Sequence, residues 1–186
     1  MNMIWKHIDD SFLDWMRERY EKRVPFSDYG EYGYKPFFGT LFAVNDLIYV
    51  TQISSPKERH ANMKQSLDFY KIYHPDDDSL IAVVNLNYMF PAPNSVLEDL
   101  EYKNLNKYRS FDDEKEKSKY IDFLRMELQE INKLNLTEAA QKIYQLKYTA
   151  PDSRVSLRCF DFKRLEVGCS KYASLLIKSC SPHREK

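Results

Sequence analysis

Glycine is scarce in this chain, with four in 186 residues, and none builds a loop of the kind that cradles phosphate. There is no Walker loop and no dinucleotide-binding glycine fingerprint. A His-Glu-x-x-His pair and a nucleophile elbow are missing too, which leaves zinc-peptidase and α/β-hydrolase chemistry without their residues. Cys159, Cys169 and Cys180 are odd in number and lack the paired spacing of a metal site. That argues against a disulfide frame or a zinc ribbon and fits a reducing, cytoplasmic location. No apolar run approaches the roughly 20 residues that span a bilayer, and Trp5, Lys6 and His7 interrupt the N-terminus before any signal core forms, so neither export nor insertion is expected. Excess charge is also lacking, because 28 basic residues balance 28 acidic ones. A protein that coats nucleic acid through a general basic field is therefore excluded, and any such contact must use local patches. Three stretches qualify: Arg17 to Arg23, Tyr102 to Arg109, and Lys178 to Lys186. Each reads equally as a solvated face.

What the chain does have is length enough for a buried core and a 15% share of aromatic residues, dominated by tyrosine. Tyrosine serves core edges, interfaces and base stacking alike. The expected organisation is a single domain over residues 1–186, with a β-rich core to about residue 95 and a helical layer from about 110 to 176. Asp9 or Asp10 caps a first helix carrying Phe12, Leu13, Met16 and Tyr20, which Val24-Pro25 ends. Phe37 to Val44 reads as a strand, Asn45-Asp46 as a two-residue turn, and Leu47 to Gln52 as its hairpin partner. Leu67 to Tyr73 reads as a strand with a helical alternative. Ile81 to Met89 is the clearest strand, closed by Pro91 and Pro93. Asp112-Asp113 starts a helix with Ile121, Leu124, Leu128 and Ile131 on one face, Thr137 caps the next, and a last element covers Val155 to Leu176. Strands precede helices, so the fold class is α+β.

Ser54-Ser55-Pro56-Lys57-Glu58-Arg59-His60 stands out, directly after the apolar run Leu47 to Val50. Ser55-x-x-Glu58 fits a capping box with Pro56 at the first helical position, and the helix start would attract phosphate beside Lys57. Helical spacing sets Lys57, His60 and Lys64 along one face, with Arg59 as a further cation. Equally, a capping box is an ordinary helix start. Cleaving RNA without a metal needs a proton acceptor for the 2′-hydroxyl, donors for the phosphorane and an acid for the leaving oxygen. In that reading Lys57 stabilises phosphate charge, Ser54 and Ser55 hydrogen-bond it, and His60 moves protons. Tyr32-Gly33-Tyr34-Lys35 adds a second cation with rings, or is a plain surface loop. His74 before three aspartates reads as a strand-ending turn rather than a metal site. No metal and no cofactor are expected.

The order of Lys35-Pro36-Phe37-Phe38-Gly39, Ser54-Ser55-Pro56-Lys57-x-x-His60, Asn85 to Pro91, and Cys159-Phe160-Asp161-Phe162 with Leu165-Glu166 resembles the ToxN/AbiQ family of endoribonuclease toxins of type III toxin–antitoxin systems. The resemblance implies a compact, strongly bent antiparallel β core of the Kid/MazF, SH3-like barrel type wrapped by helices. It further implies metal-independent cleavage leaving a 2′,3′-cyclic phosphate, and growth inhibition of the kind used in abortive infection against phage. The implied partner is a repetitive pseudoknot RNA that the toxin cuts and that then inhibits it within a closed toxin–RNA hetero-oligomer. Ser54, Ser55 and Lys57 correspond to the family's hydroxyl pair and lysine. Tyr32 and Lys35 correspond to its upstream tyrosine and lysine, with Tyr34 an alternative for Tyr32. Substrate RNA binding then involves Lys35, Tyr34, Arg59 and Lys64. The residues alone leave two other readings open: an RNA-binding module without catalysis, and a toxin of the same fold acting on a protein.

Overall fold

The computed structural model describes residues 2–30 and 33–179. Among these, eight strands form one antiparallel sheet: β1 (Ile4–Ile8), β2 (Phe37–Gly39), β3 (Ala43–Val44), β4 (Leu47–Ser54), β5 (Phe69–Tyr73), β6 (Leu80–Asn85), β7 (Phe90–Pro93) and β8 (Leu97–Asp99). Their order is β5-β6-β4-β2-β1-β8, with β3 and β7 also paired to β4. The long strand β4 is the hub. Its first half pairs with β3 and β7, and its second half with β2 and β6. Changing partners along one strand bends the sheet strongly, yet β5 and β8 do not meet, so the barrel stays open. The fold is α+β, as expected.

Six helices cover this sheet: α1 (Asp10–Arg19), α2 (Glu58–Asn62), α3 (Glu114–Asn132), α4 (Leu136–Thr149), α5 (Arg154–Arg158) and α6 (Phe162–Ser179). Asp9 caps α1 by accepting the Ser11 N–H, and Phe12, Leu13 and Met16 are buried. Asp113 caps α3 through the Glu116 N–H, which leaves Leu124 and Ile131 to pack inward. Two contacts lock α3 to β1. The Trp5 indole donates to the Leu124 carbonyl at 2.9 Å, and Asn132 brackets the Met3 backbone. Helix α6 rests on β7 and α1. There the Glu166 carboxylate accepts from both Tyr49 and Tyr144 hydroxyls at 2.7 and 2.9 Å. A continuous apolar cluster runs from Met3 to Tyr172. Among the described residues no helix is long and apolar enough to cross a membrane.

Several elements differ from the sequence reading. The strand expected over Phe37 to Val44 is broken between Gly39 and Ala43: β2 pairs with β4 at Gln52 and Thr51, whereas β3 pairs with it at Ile48 and Leu47, and Leu41 and Phe42 between them are buried outside either strand. Gly39 lies where Val50 packs so closely that a Cβ would come within 2.9 Å of its methyl. The strand expected over Ile81 to Met89 stops at Asn85, turns through a short 3₁₀ segment and resumes as β7, so Pro91 and Pro93 lie inside a strand. They are tolerated there because β7 pairs only with β4. Helix α1 ends at Arg19, before Val24-Pro25. Asn135, not Thr137, precedes α4, which starts earlier so that Leu136 is buried. The last expected element is two helices, with Asp161 accepting the Arg164 N–H at the start of the second. Strands β1 and β8 were not expected, since the burial of Ile4–Ile8 does not alternate and Leu97–Asp99 is only three residues long. The tail, with Cys180, lies outside the described residues.

Candidate functional site

Ser54 ends β4 opposite Val83 of β6, while on the other side β2 pairs with β4 at Phe37↔Gln52. Carrying that register two residues further places Lys35 across from Ser54. The side chains meet there: Lys35 Nζ donates to Ser55 Oγ at 3.2 Å. Residues twenty apart in the chain thus form one rim, and the backbone is fixed from below by Gln52. Its buried amide donates to the carbonyls of Phe26 and Lys35 at 2.9 and 2.8 Å, and accepts the Tyr29 hydroxyl at 2.7 Å. Tyr29 in turn places its ring 5.2 Å from Lys35 Nζ.

Behind this rim lies a cavity of about 130 Å³ between β4, β6 and α3. Pro36, Ile53, Ile81 and Ala82 line the sheet side, and Tyr120, Phe123, Leu124 and Glu127 the helix side. Tyr34 and Arg109 complete it. The Arg109 guanidinium pairs with Glu116 at 2.9 Å, lies over the Tyr120 ring, and passes Gly33 so closely that a Cβ there would come within 3.3 Å of it. Gly33 itself has φ +72°. Glu127 is 2% exposed, its Oε2 has no hydrogen-bond partner among the described residues, and burial pushes its carboxyl up to about 8 against the pull of Lys35.

The segment after Ser55 folds differently from expectation. Helix α2 begins at Glu58, so Pro56 is not in it, and Ser55 is engaged by Lys35 rather than by the Glu58 amide. The reciprocal contact instead joins Lys57 and His60. His60 N–H donates to the Lys57 carbonyl at 2.8 Å, and Lys57 N–H donates to His60 Nδ1 at 3.1 Å. A five-residue helix offers no extended phosphate-binding end, and it cannot carry Lys64 on the same face as Lys57 and His60. His60 is not a surface acid or base. It is 5% exposed and packs on Phe69, and burial with the charges of Arg59, Lys57 and Lys71 lowers its pKa below the ordinary histidine value. A neutral ring with its proton on Nε2 is what the Nδ1 contact requires.

Of the residues singled out in the sequence, Lys35, Ser54, Ser55 and Tyr34 line the cavity, whereas Lys57, two residues after Ser55, is exposed and outside the lining. Arg59 and Lys64 are exposed on and after α2, away from the cavity lining. Tyr34 is a core ring rather than a free stacking platform: it is 3% exposed, stacks on Tyr108 and contacts His7 through its hydroxyl. Tyr32 lies outside the described residues. Tyr29, Tyr120 and Glu127 were missed, and Arg109 was marked only as the end of the basic stretch from Tyr102. Glu127 did leave a signal, because a carboxylate between Leu124 and Ile131 interrupts the apolar stripe of α3. His74 and its aspartates form a turn, with Asp78 N–H donating to the His74 carbonyl.

The other family-like blocks build scaffold. Asn85 to Pro91 makes the β6–β7 bend, Cys169 Sγ donates to the Pro91 carbonyl at 3.2 Å, and Phe160 N–H reaches the Asn87 carbonyl.

The family model described as toxin ToxN of type III toxin–antitoxin systems matches residues 5–170. Three solved structures share the fold. The first, from work on selective toxin inhibition by a non-coding RNA pseudoknot in bacterial type III systems, has TM-score 0.72 at 20% identity, covering 93% of this chain and 99% of that one. The second is AbiQ, a lactococcal anti-phage endoribonuclease of the type III class, with TM-score 0.71 at 18% identity and coverage of 94% and 99%. The third comes from a bacterial antiviral system regulated by a processed non-coding RNA, with TM-score 0.71 at 20% identity and coverage of 92% and 98%. No curated protein matches the sequence significantly. With this fold and a family match over most of its length, the chain belongs to the ToxN family of type III toxin–antitoxin toxins.

Proposed function

We propose that this toxin is an endoribonuclease that cuts single-stranded RNA in the cytoplasm without a metal ion and leaves a 2′,3′-cyclic phosphate. The observation that carries the reading is the Lys35–Ser55 contact beside Ser54 at the mouth of the cavity. In the reaction the 2′-oxygen bonds to the adjacent phosphorus and gives up its proton, the bond from phosphorus to the 5′-oxygen breaks, and that oxygen takes a proton. Charge grows on the non-bridging oxygens as the phosphorane forms. Two ammonium groups, Lys35 and Lys57, and two hydroxyls, Ser54 and Ser55, are donors aimed at that charge. Arg59 and Lys64 hold neighbouring phosphates. His60 fixes the turn that presents Lys57, so proton exchange falls to a tyrosine, Tyr29 or Tyr32. Burial raises the Tyr29 pKa, which keeps its hydroxyl protonated: it can give the proton that the 5′-oxygen takes but cannot accept the one that the 2′-oxygen loses, which passes to solvent.

By analogy with the pseudoknot-inhibited relative and with AbiQ, the partner is a structured, repetitive RNA that neutralises the toxin in a closed assembly. The whole chain would act as one domain in defence against phage. Expression in growing cells tests this. The toxin alone arrests growth, and co-expression of the DNA just upstream of its reading frame, expected to encode the tandem-repeat RNA, restores it. Arrest relieved only by overproducing a protein target would instead favour a same-fold toxin with a protein substrate.

A further inference from the structure

Eight of the cavity-lining residues are apolar or aromatic, Pro36, Ile81, Tyr120 and Phe123 among them, while the hydroxyls and Lys35 stand at its rim. A phosphate held at the rim therefore has a partly open, largely apolar recess beside it. The recess, about 130 Å³, is near the roughly 150 Å³ of cavities known to take a benzene ring. Glu127 also lines it, with one carboxyl oxygen buried and without a hydrogen-bond partner among the described residues. Removing a buried polar atom from water without a partner is costly, and such an orphan marks a place where a ligand completes the bonding. The nearest cations do not satisfy it: Arg109 is paired with Glu116, and Lys35 is turned to Ser55.

We infer that this recess receives the nucleobase next to the scissile phosphate and that Glu127 reads the base's hydrogen-bonding edge. The inference rests on the ribonuclease reading above. Aromatic walls stack any base, so they supply affinity, and the polar group beside them supplies choice. Because burial keeps the carboxyl protonated near neutral pH, it presents one donor and one acceptor side by side. That pair matches a base edge with an amino group beside a ring nitrogen, as in adenine and cytosine.

Two measurements on the full chain test it. RNA oligonucleotides with a single cleavable bond and each of the four bases beside it are cut by wild type with preferences of about tenfold or more. Glu127→Gln, which keeps one donor and one acceptor, retains the order of preference; Glu127→Leu flattens it. Replacing an orphaned carboxyl by an apolar side chain should not lower the unfolding temperature, so loss of choice is separable from loss of fold. Calorimetry with the four nucleoside 3′-monophosphates gives a readout independent of cleavage. Cleavage with unchanged base ratios in Glu127→Leu overturns the inference and leaves the ribonuclease reading standing. Base-selective binding that Glu127→Leu abolishes, in a protein that cuts no RNA, does the reverse.

Discussion

His60 Nδ1 accepts the backbone N–H of Lys57 at 3.1 Å, so the histidine in the Ser-Pro-Lys-x-x-His block holds the lysine's turn. His60→Ala removes that acceptor and the packing on Phe69, and is expected to cost ~1–3 kcal/mol. Protonation should act in the same direction. His60 has its pKa lowered, so on acidification below the ordinary value near 6.5 the unfolded chain binds a proton that the folded chain refuses, and stability falls. His60→Gln lacks this proton linkage. Urea midpoints at pH 7.5 and pH 5.5 should therefore draw closer together in the variant than in wild type; an unchanged gap argues against a neutral, buried ring.

Among the described residues Tyr29, not Tyr34, faces Lys35. Tyr29→Phe should lower cleavage by about tenfold or more while the protein stays folded. Tyr34→Phe should instead cost ~1 kcal/mol of stability by removing the hydroxyl that meets His7, and cut RNA better than the Tyr29 variant. Cleavage rates and thermal unfolding of the two variants, measured side by side, decide between them.

Much of this was written in local sequence. The Asp9 cap, the apolar stripe of α3 and the Asn45-Asp46 turn depend on neighbours a few residues apart, and the turn does place both residues at positive φ, 47° and 65°. The break at Thr40 and the resumption of pairing at Phe90 depend on which strand lies alongside, which no local pattern encodes. The site divides the same way. Ser54, Ser55 and Lys35 were marked by a motif and its resemblance, whereas Tyr29 and Arg109 gain their meaning only when the 26–35 loop and the residues before α3 fold against Lys35 and Tyr120. The helix cap assigned to Ser55 failed because α2 starts only at Glu58, with Lys57 before it and His60 Nδ1 accepting the Lys57 N–H, while the Ser55 hydroxyl meets Lys35, remote in sequence.

The helical layer is pinned to the sheet by Asp68 and Arg158, whose guanidinium reaches both carboxylate oxygens at 2.7 and 2.9 Å. Their exposures differ sharply, 3% for the Asp68 side chain and 54% for Arg158. Arg158→Ala strands a buried carboxylate and should cost ~2–3 kcal/mol, whereas Asp68→Asn leaves a solvated arginine and should cost ~1 kcal/mol. Chemical denaturation of both variants checks the order, and equal losses would contradict it.

Glu127 makes a second pH prediction, opposite in sense to that of His60. Its folded carboxyl titrates near about 8 rather than in the usual carboxylate range, so between those values the folded chain holds a proton that the unfolded chain releases. Stability should fall as pH rises through that window. Glu127→Gln removes the linkage, and its advantage over wild type in urea midpoint should grow from pH 5.5 to pH 8.5. A constant difference would show an ordinary carboxylate.

The most direct measurement is end-group analysis of RNA incubated with the purified toxin in the presence of a chelator. The account predicts new 2′,3′-cyclic phosphate and 5′-hydroxyl ends, with Lys35→Ala, Ser55→Ala and Lys57→Ala each slowing their appearance by ~10²-fold or more. RNA that is bound but left intact, products with 3′-hydroxyl ends, cleavage that requires an added divalent ion, or full activity in those variants would contradict it.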